Sequence, residues 1–473
     1  MQEDPQMSIK KQDMRSALYI LEREARITRV QGEVDPKFEL PAVLAQSPNR
    51  SAVIFEKVKG YSVPVVGNLV DRENFALTCG IESTIEASLK YIDHGITNPI
   101  KPELIKNAAC REIVITENID VMKTIPVTTF FEKEAGPYIM SAIVVAKDPE
   151  TGNRNVSMNR LLVLGPDRLM IGMSPSHHLY RLLEKATVLG KSLEVSIAVG
   201  NHPAVLVAAN AYVDLGFDEF YIAGGMFGEP LELSPGITVD VEVPAGAEFV
   251  IEAEFIPGEL HEEGLVSEFH GMYVDYGKSP VLQVKGITHR KDPIFQIILP
   301  GRYHEHFIIG AMAIETTTLR HIRAAVPRVK TAYITEGGMG RSHLVTSLSD
   351  PRPGEGQKAI FAAFAHCNLI KHVTVVDDDI KVDDPVDVEW AIAARMRAER
   401  DIMIIPGVRT DRADALVKEG TVSKVGIIAL REPTALPKAE IPQEIMEKVK
   451  SEWGRYKVQV GDKNVNRSYS YIK

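Results

Sequence analysis

Cysteine is scarce in this 473-residue chain: Cys79, Cys110 and Cys367 stand far apart, and no two share a C-x-x-C spacing. That excludes a disulfide framework and a thiolate zinc site, and it fits a reducing compartment. A basic surplus is missing too. The 54 Lys and Arg are outnumbered by 64 Asp and Glu, giving a net charge of -10 and a pI near 5.8, which argues against nucleic-acid binding. No apolar run approaches the ~20 residues of a membrane span. The opening stretch MQEDPQMSIKKQ is polar and acidic rather than signal-like. These absences predict a cytoplasmic protein without nucleic-acid or membrane partners. What is there, 45% hydrophobic and 25% charged residues, is the balance of an ordinary folded protein, long enough for two or three domains.

The hydrophobic periodicity predicts an α/β multidomain chain. Met14, Leu18, Leu21 and Ala25 predict a helix over 13–27, and Pro36 near the start of 35–46 predicts a second. Short apolar runs at 52–55 and 63–70 read as strands, so 1–105 forms a small N-terminal α/β segment. Between 106 and 315 strand-like runs dominate: 113–116, 138–145, 161–164, 193–199, 237–243, 281–289 and 294–299. Residues 249–255 alternate as a half-buried strand would. This predicts a strand-rich, split β-barrel-like domain. Helix and strand alternate again over 316–441: helix 310–325 leads into strand 329–335, helix 357–370, strand 373–377, helix 385–398 and strand 402–406. That reads as a C-terminal α/β oligomerisation domain. Residues 442–473 read as a helix and loose tail.

Chemistry-bearing residues cluster in short motifs. Asn155-Val-Ser-Met-Asn-Arg160 enters a strand, and Pro175-Ser176-His177 follows after one more strand and a turn. An amide oxygen, an imidazole and a carboxylate suit a divalent cation such as Mn²⁺ or Mg²⁺. The competing reading makes Asn155 a turn residue and His177 a helix cap. Glu263-Gly-Leu-Val-Ser-Glu268 sets two acids in a glycine-flanked turn, either solvated or given different roles by different surroundings. Asp218-Glu219 precedes the apolar run Phe220–Ala223, read as a strand ending at Gly224-Gly225.

Taken in order, Asn155…Arg160, Pro175-Ser-His177, Asp218-Glu219…Gly224, Glu263…Glu268 and Val375-Val-Asp-Asp-Asp-Ile380 resemble the UbiD decarboxylases over almost the whole chain. The resemblance implies a reversible non-oxidative decarboxylase of an aromatic, heteroaromatic or α,β-unsaturated acid, using prenylated FMN that takes up the electron density freed with CO₂. It implies Asn155, His177 and Glu219 as ligands of a Mn²⁺ or Mg²⁺, with K⁺ a further candidate ion. Ser157, Met158, Asn159, Arg160, Ser176 and His177 would line the cofactor, and Arg160, Glu263 and Glu268 would be catalytic. Glu268 would donate the proton, kept on the carboxyl by a dry pocket, while Arg160 meets the substrate carboxylate and holds Glu263 ionised. Gln296 and His304 are implied substrate contacts. A flavin prenyltransferase would supply the cofactor, and a homo-oligomer, dimer or hexamer, is implied.

Two departures from the family pattern stand out. Leu265, Val266 and Ser267 replace the Pro-Phe-Gly or Pro-Tyr-Gly frequent between the acids, and Ala365 and His366 stand where several relatives carry a phosphate-binding lysine, leaving Lys358 and His366 as candidates. Three alternatives stay open: a decarboxylase of an unsaturated phosphorylated aliphatic acid in isoprenoid metabolism, a non-catalytic flavin-binding accessory protein, and a metal hydrolase built on His177, Glu219, His304 and His306. Asp377-Asp378-Asp379 reads as caps or solvated acids, and Gly337-Gly-Met-Gly340 lacks the dinucleotide spacing.

Overall fold

The computed structural model describes residues 12–47, 51–432, 436 and 438–456. The stretch 457–473, expected to be a loose tail, lies outside the described residues, as do residues 1–11. Residues up to Leu430 form one compact unit, and the rest a second. The second carries the expected helix at Gln443–Ser451, with no buried residue. No described helix is long and apolar enough to cross a membrane.

The N-terminal part opens with the Met14–Arg23 helix, shorter than its periodicity predicts. Asp13 caps it by accepting from the Ser16 N–H, and Ala25 adopts φ 54°, which turns the chain out of the helix. Ile27–Val34 is then a strand, parallel to Ala52–Val58. The second helix begins at Glu39, not Asp35: the Asp35 carboxylate accepts from Lys37 N–H at 2.9 Å, Phe38 sits at φ 69°, and Pro36 lies in the preceding turn. Val65–Gly67 and the distant Phe295–Gln296 complete a four-stranded sheet.

The middle is the expected strand-rich domain, a nine-stranded sheet. It runs from Tyr138–Ile139 through Leu161–Val163, Arg168–Ile171, Lys278–His289, Phe249–Glu262, Glu194–Val199 and Ile143–Lys147 to Arg154–Met158. Ile113–Ile115 pairs alongside. Phe249–Phe255 is not half-buried as its alternation predicts, because Glu252 is itself buried. Its carboxylate accepts from Arg111 at 2.6 Å and from the Ile237 and Thr238 N–H groups, so the polar face is covered by protein. Of 237–243, expected as a strand, only Val243 extends into one; the rest wraps over Glu252.

The largest correction is at 218–225. This is a helix, Glu219–Phe227, capped by the Asp218 carboxylate. Nearly every position on it is buried, so no amphipathic period marks it. Gly224 and Gly225 do not end a strand; they admit a neighbour. A Cβ on either would lie within 2.7 Å of the Ile100 or Gly95 carbonyl oxygen, against the Ile85–Thr97 helix. In the C-terminal part, Val329–Ile334, His343–Leu348, His372–Asp377, Thr421–Ala429 and Ile402–Arg409 form a sheet with antiparallel edges and two parallel pairs at its centre. The helix before it starts at His304, six residues earlier than predicted.

Candidate active site

A cavity of about 410 Å³ lies among the nine-stranded sheet, the His304–Ala325 helix and the C-terminal hairpin loop, within the usual range for ligand sites. The Arg154–Met158 strand supplies one wall with Asn155 to Met158. The chain then leaves the sheet for two residues before Leu161–Val163, and those two are Asn159 and Arg160. Asn159 is tied down by donating to Gly172 O at 3.2 Å and accepting from Ser157 Oγ at 2.8 Å. Arg160 is thereby aimed across the cavity.

Its guanidinium meets both acids of the 263–268 motif. Nε and Nη2 donate to the two oxygens of Glu263 at 2.6 and 2.8 Å, and Nη1 donates to Glu268 Oε1 at 3.0 Å. Such a fork fixes orientation as well as charge. The two acids differ in setting: the Glu263 side chain is 0% exposed, Glu268 12%. Glu268 lines the cavity, whereas Glu263 stands behind Arg160. Glu268 Oε2 also accepts from the Phe269 N–H at 3.2 Å. Tyr276 packs between two cations, with Arg160 Cζ 4.9 Å and Arg412 Cζ 4.4 Å from its ring centroid. Gly172 leaves the room that Arg160 fills, since a Cβ there would sit 2.7 Å from Arg160 Cζ.

At another corner of the cavity, Asn155 and Glu219 meet. Asn155 Nδ2 donates to Glu219 Oε1 at 3.1 Å and Val156 N–H to Oε2 at 2.7 Å. Burial pushes the Glu219 carboxyl up to about 8, as expected of a buried acid with no cation beside it. Asn155 Oδ1 is buried with no hydrogen-bond partner, and an orphaned oxygen of this kind is costly unless something binds it. His177 lines the same cavity. It stands at the N-cap of the His178–Val188 helix but makes no side-chain cap bond; its Nδ1 accepts from Ser174 N–H at 3.3 Å. Burial lowers its pKa and keeps the ring neutral, the form that binds metal. An orphaned amide oxygen, a buried carboxylate and a neutral imidazole fit a divalent cation.

The other expected residues divide. Ser157, Met158 and Ser176 line the cavity, and Ser176 Oγ donates to Asp411 at 2.8 Å. Lys358 is exposed on the Glu355–His366 helix and is absent from the lining. His304 faces a different recess, 3.5 Å from Glu336; its neighbour His306 is the one that lines the cavity. Gln296 is fully buried, its amide unpartnered, and is not among the lining residues. The hydrolase set of His177, Glu219, His304 and His306 is therefore not gathered in one place. Sequence reasoning missed Tyr276, Arg341, Asp411 and Arg412, which reach the cavity from distant loops.

Comparison with known proteins matches almost the whole chain. The chain matches the 3-octaprenyl-4-hydroxybenzoate carboxy-lyase N-terminal domain over residues 18–87, its Rift-related domain over 103–303 and its C-terminal domain over 307–429. It is 33% identical to the anhydromevalonate phosphate decarboxylase of Methanothermobacter thermautotrophicus, covering 88% of this chain and 96% of that one. Among solved structures it resembles the UbiD-class enzyme HmfF from Pelotomaculum thermopropionicum in complex with FMN, with a TM-score of 0.88, 40% identity and coverage of 93% and 99% of the two chains. An evolved dimeric form of that enzyme with prFMN gives 0.85 at 39% identity, covering 95% and 99%. The chain belongs to the UbiD family of carboxy-lyases.

Proposed function

We propose that this protein is a reversible, non-oxidative decarboxylase of an unsaturated carboxylic acid, with Arg160, Glu263 and Glu268 as its catalytic group. The observation that carries the reading is the Arg160 fork, clamped by one fully buried acid and bonded to a second acid that faces the cavity. Prenylated FMN, the ligand of a solved relative, would find apolar surface at Met140, Met158, Met173, Ile298 and Ile309 beside the hydroxyls of Ser157, Ser174 and Ser176. Asn155, His177 and Glu219 would hold a Mn²⁺ or Mg²⁺. When bound, this cofactor supplies the electron sink that loss of CO₂ from an sp² carbon requires.

The protein's own part is positioning and proton transfer. Glu263 holds the guanidinium, and Gly172 leaves the space it occupies. Glu268 gives its proton to the carbon that loses CO₂ and recovers it from solvent; in the reverse direction it takes that proton away. Replacing Glu268 by Gln keeps size and polarity and removes the exchangeable proton. Turnover should fall by about 10²–10⁴-fold while substrate still binds; unchanged turnover refutes the role.

A second reading, an unsaturated phosphorylated aliphatic acid as substrate, is favoured by the anhydromevalonate phosphate decarboxylase relative, matched across 96% of its length. A flavin prenyltransferase as cofactor supplier, a cytoplasmic location and assembly into at least a homodimer complete the proposal. The dimeric form of the HmfF relative and the exposed edge strand Ile402–Arg409, whose Ile404 is largely solvent-facing, support the last.

A further inference from the structure

Asn155 and Glu219, two of the groups proposed above as metal ligands, stand 64 positions apart in the chain and on different kinds of element. Asn155 belongs to Arg154–Met158, the end strand of the nine-stranded sheet, and Glu219 is the first residue of the Glu219–Phe227 helix. Among the described residues this strand is paired on one side only, with Ile143–Lys147. On its other side the Val156 N–H goes to Glu219 Oε2 at 2.7 Å. A divalent cation asks for ligand distances right to about 0.2 Å. A strand edge and a helix start hold each other that well only through further contacts.

The residues directly before the two supply those contacts. Arg154 Nε and Nη2 both donate to Asp218 Oδ2, at 2.8 and 2.6 Å. Asp218 Oδ1 is used differently: it accepts from the Phe220 N–H at 3.0 Å and caps the helix. One carboxylate thus starts the helix and ties its first turn to the strand. Arg154 is held from a second direction as well. Its Nη1 donates to Glu242 Oε2 at 3.1 Å, and Glu242 Oε1 accepts from Lys147 at 2.8 Å. Lys147 is the cross-strand partner of Arg154. Like charges opposed in that way repel, and Glu242 bridges them. The side chains of Arg154, Asp218 and Glu242 are 16, 9 and 14% exposed, so salt and water screen these pairs little.

The contacts run in register: Arg154 with Asp218, then Asn155 with Glu219, then the Val156 N–H again with Glu219. Successive side chains leave a strand on opposite faces, so Arg154 and Asn155 grip the helix start from the two sides of the end strand. Lys147, Arg154, Asp218 and Glu242 are all absent from the cavity lining. What they do for the site they do through Asn155 and Glu219.

We propose that Arg154, clamped between Asp218 and Glu242, is the positioning residue of the cation corner: it sets the spacing of Asn155 and Glu219, and with it the affinity for the divalent cation. This rests on the metal reading above and adds what builds that corner before an ion arrives. Asn155 Oδ1 is buried without a hydrogen-bond partner because Nδ2 is spent on Glu219 Oε1. That arrangement lasts only while strand and helix keep their register. Partners one step behind a metal ligand are typically worth about 10–100-fold in metal affinity.

The test titrates the full chain, freed of metal with a chelator, with Mn²⁺ in saturating FMN. Free Mn²⁺ is read by electron paramagnetic resonance, and the melting temperature is taken separately in chelator. Asp218→Asn keeps a helix cap and loses the charge pair; Arg154→Met removes the guanidinium and keeps an apolar stem. Both should bind Mn²⁺ about 10–100-fold more weakly than the parent. Arg154→Lys keeps the charge without the fork that reaches both acids, so its loss should be smaller. Arg72→Met is the control: it breaks another Arg–Glu pair with a buried acid, Arg72 Nη1 to Glu315 at 3.0 Å, outside the cavity lining. It should melt lower and bind Mn²⁺ as the parent does. A lower melting temperature with parent-like Mn²⁺ affinity in Arg154→Met or Asp218→Asn overturns the proposal, and so does an equal loss of affinity in Arg72→Met. If Arg154→Met does not fold, parent-like affinity in Asp218→Asn and Arg154→Lys overturns it. A parent chain that binds no Mn²⁺ overturns the metal reading itself, and this proposal with it.

Discussion

Gly172→Ala tests the site without removing a charge or a donor. The added methyl would sit 2.7 Å from Arg160 Cζ, 2.8 Å from Nε and 3.0 Å from Cγ, where carbon contacts settle at about 3.5–4.0 Å. The guanidinium must retreat by roughly 1 Å. It cannot do so freely, because the bonds to Glu263 at 2.6 and 2.8 Å would stretch past the useful hydrogen-bond range. A misplacement of that size at a catalytic group lowers turnover by about 10²-fold. The assay is CO₂ release from an accepted acid, run beside solvent-deuterium incorporation at the product carbon. Gly165→Ala serves as control, since a Cβ there meets nothing within 4 Å, and it should turn over as the parent does. Flavin absorbance and thermal unfolding establish that both variants are folded and loaded. Parent-rate turnover in Gly172→Ala, or an equal loss in Gly165→Ala, refutes the claim that Arg160's exact seat matters.

Glu263→Gln and Glu268→Gln should part company. Both lose turnover, but deuterium exchange at the product carbon should vanish most completely in Glu268→Gln, while Glu263→Gln, which leaves a buried guanidinium underpaired, should also lower the melting temperature; exchange at the parent rate in Glu268→Gln removes it as donor. His177→Ala and Glu219→Ala should lose metal and flavin together, read by elemental analysis and absorbance, and full occupancy of both would remove them as ligands. Acid should destabilise the fold through His202, whose Nδ1 accepts from the Ala204 N–H at 3.1 Å and whose pKa burial lowers to about 4. The unfolded ring takes up its proton near the ordinary ~6.5 and the folded ring only near 4. The contribution is therefore complete above that range and lost as pH falls through it; His202→Asn, which keeps a cap, should flatten melting temperature against pH there, and an unchanged slope contradicts this. Light scattering should report at least a dimer, and a monomer across a wide concentration range would exclude it.

Much of the fold was legible because its signals are local. The alternating and β-branched runs of the middle domain marked most of its strands; the helix at 385–395 lies within its predicted range, and that at 355–366 starts two residues before its own and ends four earlier. Misreadings came where burial on all sides erased the period, as in the Glu219–Phe227 helix, or where one residue at positive φ, Ala25 or Phe38, cut a pattern short. The residues proposed as catalytic and as metal ligands could be named because Asn155 to Arg160, His177 and Glu263 to Glu268 are short strings whose order the family resemblance recognises. Arg341 and Arg412 could not. Each is an ordinary arginine in a loop, set by contacts outside its own stretch of sequence, Arg341 by Phe307 and Arg412 by Tyr276. His304 and His306 show the same limit: adjacent letters cannot say which side of a helix start faces the cavity.

The central claim is that this chain carries prenylated FMN and a divalent cation in the Asn155–His177–Glu219 corner and decarboxylates through the Arg160 fork. The most direct measurement is the absorbance and native mass of the protein co-expressed with a flavin prenyltransferase, taken together with CO₂ release by the same sample. The account predicts one prenylated FMN and one divalent cation per chain, with turnover proportional to flavin occupancy. A chain that emerges without flavin, or whose CO₂ release is the same with and without it, would contradict the account.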